Sequence, residues 1–181
     1  FCRIDSLLKS KHKVNVAIDG NCSAGKSTLA DFIGNIYDCN IFHMDDFFLP
    51  PEIRTQERLN EVGGNVDYVR FKSEVIEGIN SGMEFKYRKY NCKLGKFQEI
   101  KSIKPKKLNI IEGSYSMHPT LIENYDLKIF LQIDEEEQRR RILKRNGLNM
   151  YKMFVELWIP LENRYFSEMR IKEQSDLVFT W

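Results

Sequence analysis

Residues 20–27 carry the sequence Gly20-Asn21-Cys22-Ser23-Ala24-Gly25-Lys26-Ser27. This stretch is the strongest indication of the fold, because it fits the pattern G-x-x-x-x-G-K-[ST] without a mismatch. The two glycines let the backbone wrap closely around a triphosphate, so that successive N–H groups point at the anion. Lys26 offers a charge to the β- and γ-phosphates, and Ser27 offers a hydroxyl to a magnesium ion. The helix that starts here, with Thr28 in its first turn, brings the positive end of its dipole to the same place.

The flanking sequence has the order that such a loop requires. Residues 14–19 form a short apolar run before it, which predicts a buried strand, and apolar side chains then recur at helical spacing at Leu29, Phe32, Ile33 and Ile36. The alternative, an ordinary glycine turn before a helix, does not require a strand on one side and a helix on the other. We therefore predict a nucleotide site over residues 20–28.

The rest of the chain alternates short apolar runs with amphipathic segments, which is typical of a parallel α/β sheet. Strands are expected at residues 40–44, 108–111, 127–133 and 177–179, and helices at residues 68–79, 135–144 and 151–172. The last helix is expected to bend or begin near Pro160. Residues 84–107 fit either a hairpin or a long excursion over the sheet.

Composition favours one domain over residues 1–181, because 42% of the 181 residues are hydrophobic and 30% are charged. A net charge of +2 is too small to indicate a nucleic-acid surface, and no apolar run is long enough to span a bilayer. The four cysteines lack metal or disulfide spacing, which fits the reducing cytoplasm. The three histidines also lack metal spacing. Monomer and homo-oligomer both stay open.

Acidic side chains follow two of the predicted strands, at the sheet edge where open α/β folds bind ligands. Asp45 follows the second strand and is placed to accept a proton from an attacking hydroxyl. For the adjacent Asp46, capping a turn is an equal alternative to such a role. Glu112 ends the third apolar strand, and we predict that it holds magnesium together with Ser27. The alternative for Glu112 is a plain surface residue.

Basic side chains crowd the segment after the fourth strand, at Arg139, Arg140, Arg141, Lys144 and Arg145. On a helix they pair at i,i+4 with Glu136 and Glu137, so most of them would brace a solvated face. One or two could instead reach a transferred phosphate. The guanine-specifying pattern N-K-x-D does not occur in the chain, which argues against a GTPase switch.

Taken together, these motifs resemble the uridine kinase-like family, whose relatives include nicotinamide riboside kinases, phosphoribulokinases and bacterial pantothenate kinases. The resemblance runs over nearly the whole chain. It is carried by the phosphate loop, Met44-Asp45-Asp46-Phe47-Phe48-Leu49-Pro50, Gly64-Asn65-Val66-Asp67-Tyr68, Ile110-Ile111-Glu112-Gly113 and the arginine-rich segment. It implies a P-loop NTPase fold with a five-stranded parallel sheet, helices on both faces and a short lid. It also implies transfer of the γ-phosphoryl of ATP, with Mg²⁺, to a primary hydroxyl.

The resemblance further implies roles for individual residues. Asp45 would be the base for a substrate 5′-hydroxyl, Asp67 would hold ribose hydroxyls, and Tyr87 would lie along the nucleoside pocket. Arg141 and Arg145 would belong to a lid that closes over ATP. From the residues alone, Asp67 could equally be the N-cap of the helix at Tyr68, and Tyr87 an ordinary half-buried aromatic residue.

Departures from the family concern the acceptor pocket and the lid. Lys86 stands where uridine kinases usually have proline, and a short run, Lys144-Arg145-Asn146-Gly147, replaces a longer lid rich in arginine and glycine. The run Leu157-Trp158-Ile159-Pro160 looks closer to nicotinamide riboside kinases. Uridine or cytidine is the predicted acceptor, and nicotinamide riboside or another sugar hydroxyl is the alternative. A regulatory or assembly ATPase without an acceptor is the alternative of another class.

Overall fold

The computed structural model describes residues 1–92 and 94–180, and its central feature is a parallel sheet. The five strands are β1 (Val14–Gly20), β2 (Cys39–His43), β5 (Leu108–Glu112), β6 (Leu127–Gln132) and β7 (Leu177–Thr180). They lie in the order β2-β5-β1-β6-β7, and every neighbouring pair is parallel. The predicted five-stranded parallel sheet is confirmed, and each predicted strand matches an observed one to within two residues.

The order of the strands explains where the site forms. β1 lies at the centre of the sheet, between β5 and β6, and ends at Gly20, where the phosphate loop begins. Glu112 at the end of β5 is in register with Ile18 of β1 and His43 of β2. Because the strands are parallel, these carboxyl ends meet at one edge of the sheet.

Helices cover both faces of the sheet, as predicted. They are α1 (Cys2–Ser10), α2 (Lys26–Ile36), α3 (Gln56–Asn60), α4 (Tyr68–Phe71), α5 (Glu77–Ser81), α6 (Glu135–Met153) and α7 (Ile159–Glu168). Ile4, Ala30 and Ile33 of α1 and α2 pack with Val14, Val16 and Ile18 on one face. Phe71 and Tyr165 pack with Ala17 and Phe42 on the other.

Two π-helical turns join some of these helices. Lys72–Ile76 links α4 to α5, so the helix predicted over residues 68–79 is continuous and extends to Ser81. Phe154–Trp158 links α6 to α7, and α7 begins at Ile159 beside Pro160, as predicted. The predicted end at residue 172 is wrong, because the helix stops at Glu168. Arg170 then adopts a φ of 50°, which turns the chain toward β7.

Residues 84–107 form a hairpin rather than an excursion without pairing. β3 (Phe85–Asn91) and β4 (Lys96–Ile103) are antiparallel, with an irregularity in register between Arg88 and Tyr90. Tyr87 and Tyr90 of β3 are buried against the rest of the protein, whereas most of β4 is exposed. The hairpin therefore covers the face of the core near β2.

In the described part of the chain, no helix has both the length and the apolar character needed to cross a membrane.

Candidate active site

The phosphate loop connects β1 to α2 and has the backbone that its glycines allow. Gly20, Ser23 and Gly25 all have positive φ values, of 132°, 62° and 95°. A Cβ atom added at Gly20 would lie 2.0 Å from the carbonyl oxygen of Leu131, so only glycine fits there. At Gly25 nothing would contact a Cβ atom, and the requirement comes from φ alone.

Lys26 is buried in the loop, and its ammonium group is surrounded by oxygen atoms. Nζ donates to the carbonyl oxygens of Gly20 at 2.7 Å and Asn21 at 2.9 Å, and to Ser114 Oγ at 3.2 Å. None of these acceptors is a carboxylate. The charge of Lys26 is therefore available to an anion that enters the loop.

Ser27 and Glu112 come together as the sequence predicted. Ser27 Oγ lies 3.2 Å from Oε1 and 3.1 Å from Oε2 of Glu112, and the glutamate side chain is buried. His43 Nδ1 also lies 2.5 Å from Oε1 of Glu112. This hydrogen bond raises the pKa of His43, and the charge of Glu112 adds to the effect. No role was predicted for His43, although its place at the end of β2 could have indicated this contact.

Asp45 and Asp46 occupy different environments despite being neighbours. Asp45 is exposed, and its pKa is raised. The main cause is partial desolvation of its carboxylate, and the negative charge of Glu112 adds to the effect. Lys26 opposes this shift. Asp45 thus lies within electrostatic range of both the phosphate loop and the predicted magnesium ligand.

Asp46 is buried and held by the hairpin. Its Oδ1 atom forms an ion pair with Lys89 Nζ at 2.8 Å, and Oδ2 accepts a long hydrogen bond, 3.5 Å, from Tyr87 Oη. Asp46 makes no side-chain hydrogen bond that caps the short helix Met44–Phe47. These contacts join the short helix Met44–Phe47 to the hairpin and are not those of a cap, while a catalytic role for Asp46 stays a prediction.

Asp67 is the N-cap of α4, the structural alternative that the sequence left open. Oδ1 accepts from the backbone N–H of Arg70 at 3.0 Å, and Oδ2 accepts from Arg70 Nε at 3.3 Å. Arg70 is itself buried, and it donates to the carbonyl oxygens of Arg88 at 2.7 Å and Asp46 at 3.0 Å. Capping does not exclude a ligand role, because a carboxylate has about four acceptor positions.

Tyr87 lies in the core. Its ring is 1% exposed and packs against Phe47 at 5.6 Å and Phe42 at 5.8 Å between centroids. Burial raises its pKa, and the charge of Asp46 adds to the effect. The role of Tyr87 in an acceptor pocket stays a prediction, and only its hydroxyl faces a charged group.

The two predicted lid arginines lie at different distances from the loop. Arg141 Nη1 donates to the carbonyl oxygen of Ser23 at 3.3 Å, and its Nε donates to Glu137. Arg145 is exposed and donates to Asn146. Gly147 breaks the helical geometry of α6, with φ 74° and ψ 173°, at the end of the short run Lys144-Arg145-Asn146-Gly147. The two roles in closure stay predictions.

Buried acids missed by the sequence analysis support the loop from beneath. Asp19 is fully buried, and it accepts from the backbone N–H groups of Gly20 at 2.7 Å and Met117 at 2.9 Å and from Tyr165 Oη at 2.9 Å. Burial raises the pKa of Asp19 to about 6. Glu162 of α7 also contacts the loop. Asp19, which precedes the first glycine, could have been noticed as an acid inside an apolar strand.

The residues present fit ATP and Mg²⁺. Ser23 Oγ is a buried hydroxyl with no hydrogen-bond partner among the described residues, inside a loop whose shape suits an anion. Ser27 and Glu112 offer the hard oxygen ligands that Mg²⁺ prefers. The described residues contain no group of three or more His, Cys, Asp and Glu side chains that could hold a metal. Mg²⁺ usually takes few protein ligands together with phosphates and water, so the oxygen atoms of Ser27 and Glu112 suit it.

Comparison with solved structures identifies the fold. A structure described as a possible uridine kinase from Bacillus stearothermophilus superimposes with a TM-score of 0.70 at 18% identity, covering 98% of this chain and 97% of that one. The chain has the fold of the uridine kinase-like P-loop kinases. Phosphoribulokinase from Rhodobacter spheroides matches at TM-score 0.61 and 14% identity, covering 93% of this chain and 70% of that one.

A third similar structure shares this kinase fold. D-glycerate 3-kinase from Cryptococcus neoformans has a TM-score of 0.60 at 14% identity and covers 91% of this chain and 86% of its own. No protein-family model matches the chain, and no curated protein matches it. The predicted uridine kinase-like P-loop fold is thus confirmed, at a level of identity that concerns the fold alone.

Proposed function

We propose that this protein is an ATP-dependent small-molecule kinase that transfers the γ-phosphoryl group of ATP to an acceptor hydroxyl. One observation carries the proposal: Asp45 is exposed and feels the charges of Glu112 and Lys26, so an accessible carboxylate lies near the Ser27 and Glu112 pair and the phosphate loop. A loop that only binds nucleotide needs no accessible carboxylate beside the magnesium ligands. A phosphoryl-transfer enzyme needs a group that orients the acceptor and accepts its proton.

The roles follow from the contacts. Lys26 and the loop N–H groups would hold the β- and γ-phosphates, and Ser27 and Glu112 would hold Mg²⁺, which would supply positive charge to the transferring group. Asp45 orients the acceptor hydroxyl and takes its proton. The raised pKa of Asp45 makes it a stronger base than an ordinary aspartate. Arg141, which reaches Ser23, is placed to offset charge at the loop.

For the acceptor, we propose the 5′-hydroxyl of a nucleoside, uridine or cytidine. The support is the motif resemblance together with the likeness to a structure described as a possible uridine kinase. Asp67 would accept hydrogen bonds from ribose hydroxyls through lone pairs that Arg70 does not use. Nicotinamide riboside is the alternative acceptor of the same reaction class, and another sugar hydroxyl would require the same base.

The test is ADP release from Mg-ATP with uridine, cytidine, nicotinamide riboside, pantothenate or ribulose 5-phosphate. We expect one nucleoside to drive turnover, and Asp45→Asn to abolish that turnover while Mg-ATP still binds. Glu52→Gln, which changes an exposed carboxylate on the next short helix, is the matched control. If no acceptor raises the rate above basal hydrolysis, the acceptor assignment fails and a nucleotide-binding regulator becomes the better interpretation.

A further inference from the structure

We infer that Glu162 of α7 is a positioning residue that holds the phosphate loop and its lysine in the form that receives the triphosphate. The inference rests on the proposed function only in taking ATP as the ligand of the loop. This gives α7 a part in nucleotide binding. Neither the sequence motifs nor the proposed chemistry includes that helix.

Both carboxylate oxygens of Glu162 are directed at the nucleotide site. Oε2 accepts from the backbone N–H of Cys22 at 2.9 Å, and Oε1 accepts from Ser114 Oγ at 2.7 Å. Ser114 Oγ in turn accepts from Lys26 Nζ at 3.2 Å. Glu162 therefore reaches the loop backbone directly and the loop lysine through one hydroxyl.

The direction of the Ser114 hydroxyl follows from these distances. Its other acceptor, the carbonyl oxygen of Gly20, lies 3.3 Å away, compared with 2.7 Å for Glu162. The shorter, charge-assisted bond fixes the hydrogen on the side of Glu162. A lone pair of Ser114 then faces Lys26, so Glu162 keeps Ser114 an acceptor for the ammonium group.

Burial of the Glu162 carboxylate lowers the stability of the fold unless its hydrogen bonds offset the lost hydration. Glu162 is 6% exposed, and no ion pair to it occurs in the described part of the chain. Burying a carboxylate without a directly paired cation is unfavourable unless hydrogen bonds compensate for the lost hydration. The role of the carboxylate at this position is therefore to accept hydrogen bonds from Cys22 and Ser114.

The same helix makes a second contact with the loop. Tyr165, one turn after Glu162, donates to Asp19, which accepts the N–H of Gly20. The two contacts of α7 hold the loop on either side of Asn21. Phe154 and Trp158, which precede α7, pack with Cys22 of the loop and with Ile142 of α6. The phosphate loop and α6, which carries the two predicted lid arginines, therefore share one packed cluster.

The experiment compares Glu162→Leu with Glu162→Gln, using Glu156→Leu, an exposed position on the preceding turn, as the matched control. Binding of Mg-ATP and Mg-ADP is measured by titration calorimetry, together with basal ATP hydrolysis and the melting temperature. We expect Glu162→Leu to weaken Mg-ATP binding at least tenfold, while its melting temperature stays well above the temperature of the titration. Glu162→Gln, which keeps an oxygen for Cys22 and can still bond Ser114, is expected to stay within about threefold.

Ser114→Ala gives a second, independent test. If Glu162 acts on Lys26 through Ser114, the effects of Ser114→Ala and Glu162→Leu on ATP affinity will be non-additive in a double-mutant cycle. Should Glu162→Leu fail to fold, the cycle is measured with Glu162→Ala in its place, and strict additivity overturns the inference. Unchanged Mg-ATP affinity in a folded Glu162→Leu variant also overturns it. Nucleotide binding without transfer to any acceptor would refute the proposed function and not this inference.

Discussion

Ser27 Oγ lies 3.1 Å and 3.2 Å from the two carboxylate oxygens of Glu112, although 85 residues separate them in the chain. The parallel pairing of β1 with β5 creates this proximity, because it sets Glu112 level with Ile18, just before the loop. The pair is the part of the site that most directly indicates where a magnesium ion would be held.

Glu112→Gln is expected to lower kcat by about 100-fold, because the amide carries no charge to hold Mg²⁺ at the transferring phosphate. The measurement is acceptor-dependent ADP release as a function of Mg²⁺ concentration. The midpoint of the Mg²⁺ titration should rise in the variant. Glu123→Gln, at an exposed glutamate far from the loop in sequence, is the control. An unchanged Mg²⁺ midpoint in Glu112→Gln would remove Glu112 from the metal site.

Asp46→Asn and Asp45→Asn should affect stability differently. Asp46→Asn breaks the buried ion pair with Lys89 and is expected to lower the free energy of unfolding by about 2 kcal/mol. Asp45→Asn should leave it unchanged or slightly raised, since Asp45 is repelled by Glu112. Urea unfolding of both variants measures this. Equal losses for the two variants would contradict the division into one structural and one accessible aspartate.

Arg70→Met is expected to lower the free energy of unfolding by about 3 kcal/mol, because it leaves Asp67 and two carbonyl oxygens without their buried partner. The guanidinium also lies 4.1 Å above the Phe47 ring, so part of the loss is packing. Arg139→Met removes an exposed i,i+4 pair with Glu135 and should cost less than about 1 kcal/mol. Urea unfolding compares the two, and similar losses would show that Arg70 is not a central support.

His118 should make stability depend on pH. Burial lowers its pKa from 6.5 to about 4, and the ring stacks on Tyr68 at 4.0 Å between centroids. Between these pH values the unfolded chain binds the proton more readily than the folded chain. The free energy of unfolding should therefore fall as pH drops from 6.5 to 4, by up to about 3 kcal/mol from this residue.

His118→Phe keeps an aromatic ring beside Tyr68 and removes the titration. Asp19, whose pKa is raised to about 6, contributes in the opposite direction, so the difference between the variant and the wild type isolates His118. The measurement is urea unfolding at several pH values from 4 to 7. Parallel curves for the two proteins would exclude His118 as the source of the acid sensitivity.

Local patterns predicted much of the fold and part of the site. The glycines and Lys26 placed the loop, and short apolar runs placed all five strands, because a buried parallel strand has a recognisable composition. The N-terminal helix Cys2–Ser10 was missed, and the helix before β7 was predicted too long. The end of that helix depends on the backbone turn at Arg170, which no residue type there indicates.

Contacts between distant segments could not be predicted in this way. The bond from Lys89 to Asp46 depends on how the hairpin packs on the short helix Met44–Phe47, and that packing has no signature in spacing. The prediction for Asp67 was limited in the same way. Its cap on α4 was one of two predicted alternatives, and only the coordinates of Arg70 decided that both carboxylate oxygens are used there.

By itself the sequence determined that the chain folds as an α/β protein with a phosphate loop, because loop chemistry and strand burial are written in neighbouring residues. The contact of Glu162, 140 residues beyond Cys22, with that loop is seen only in the folded protein. The physical reason is that a buried carboxylate is satisfied by whichever N–H and O–H groups the packing brings to it. That outcome depends on the whole fold.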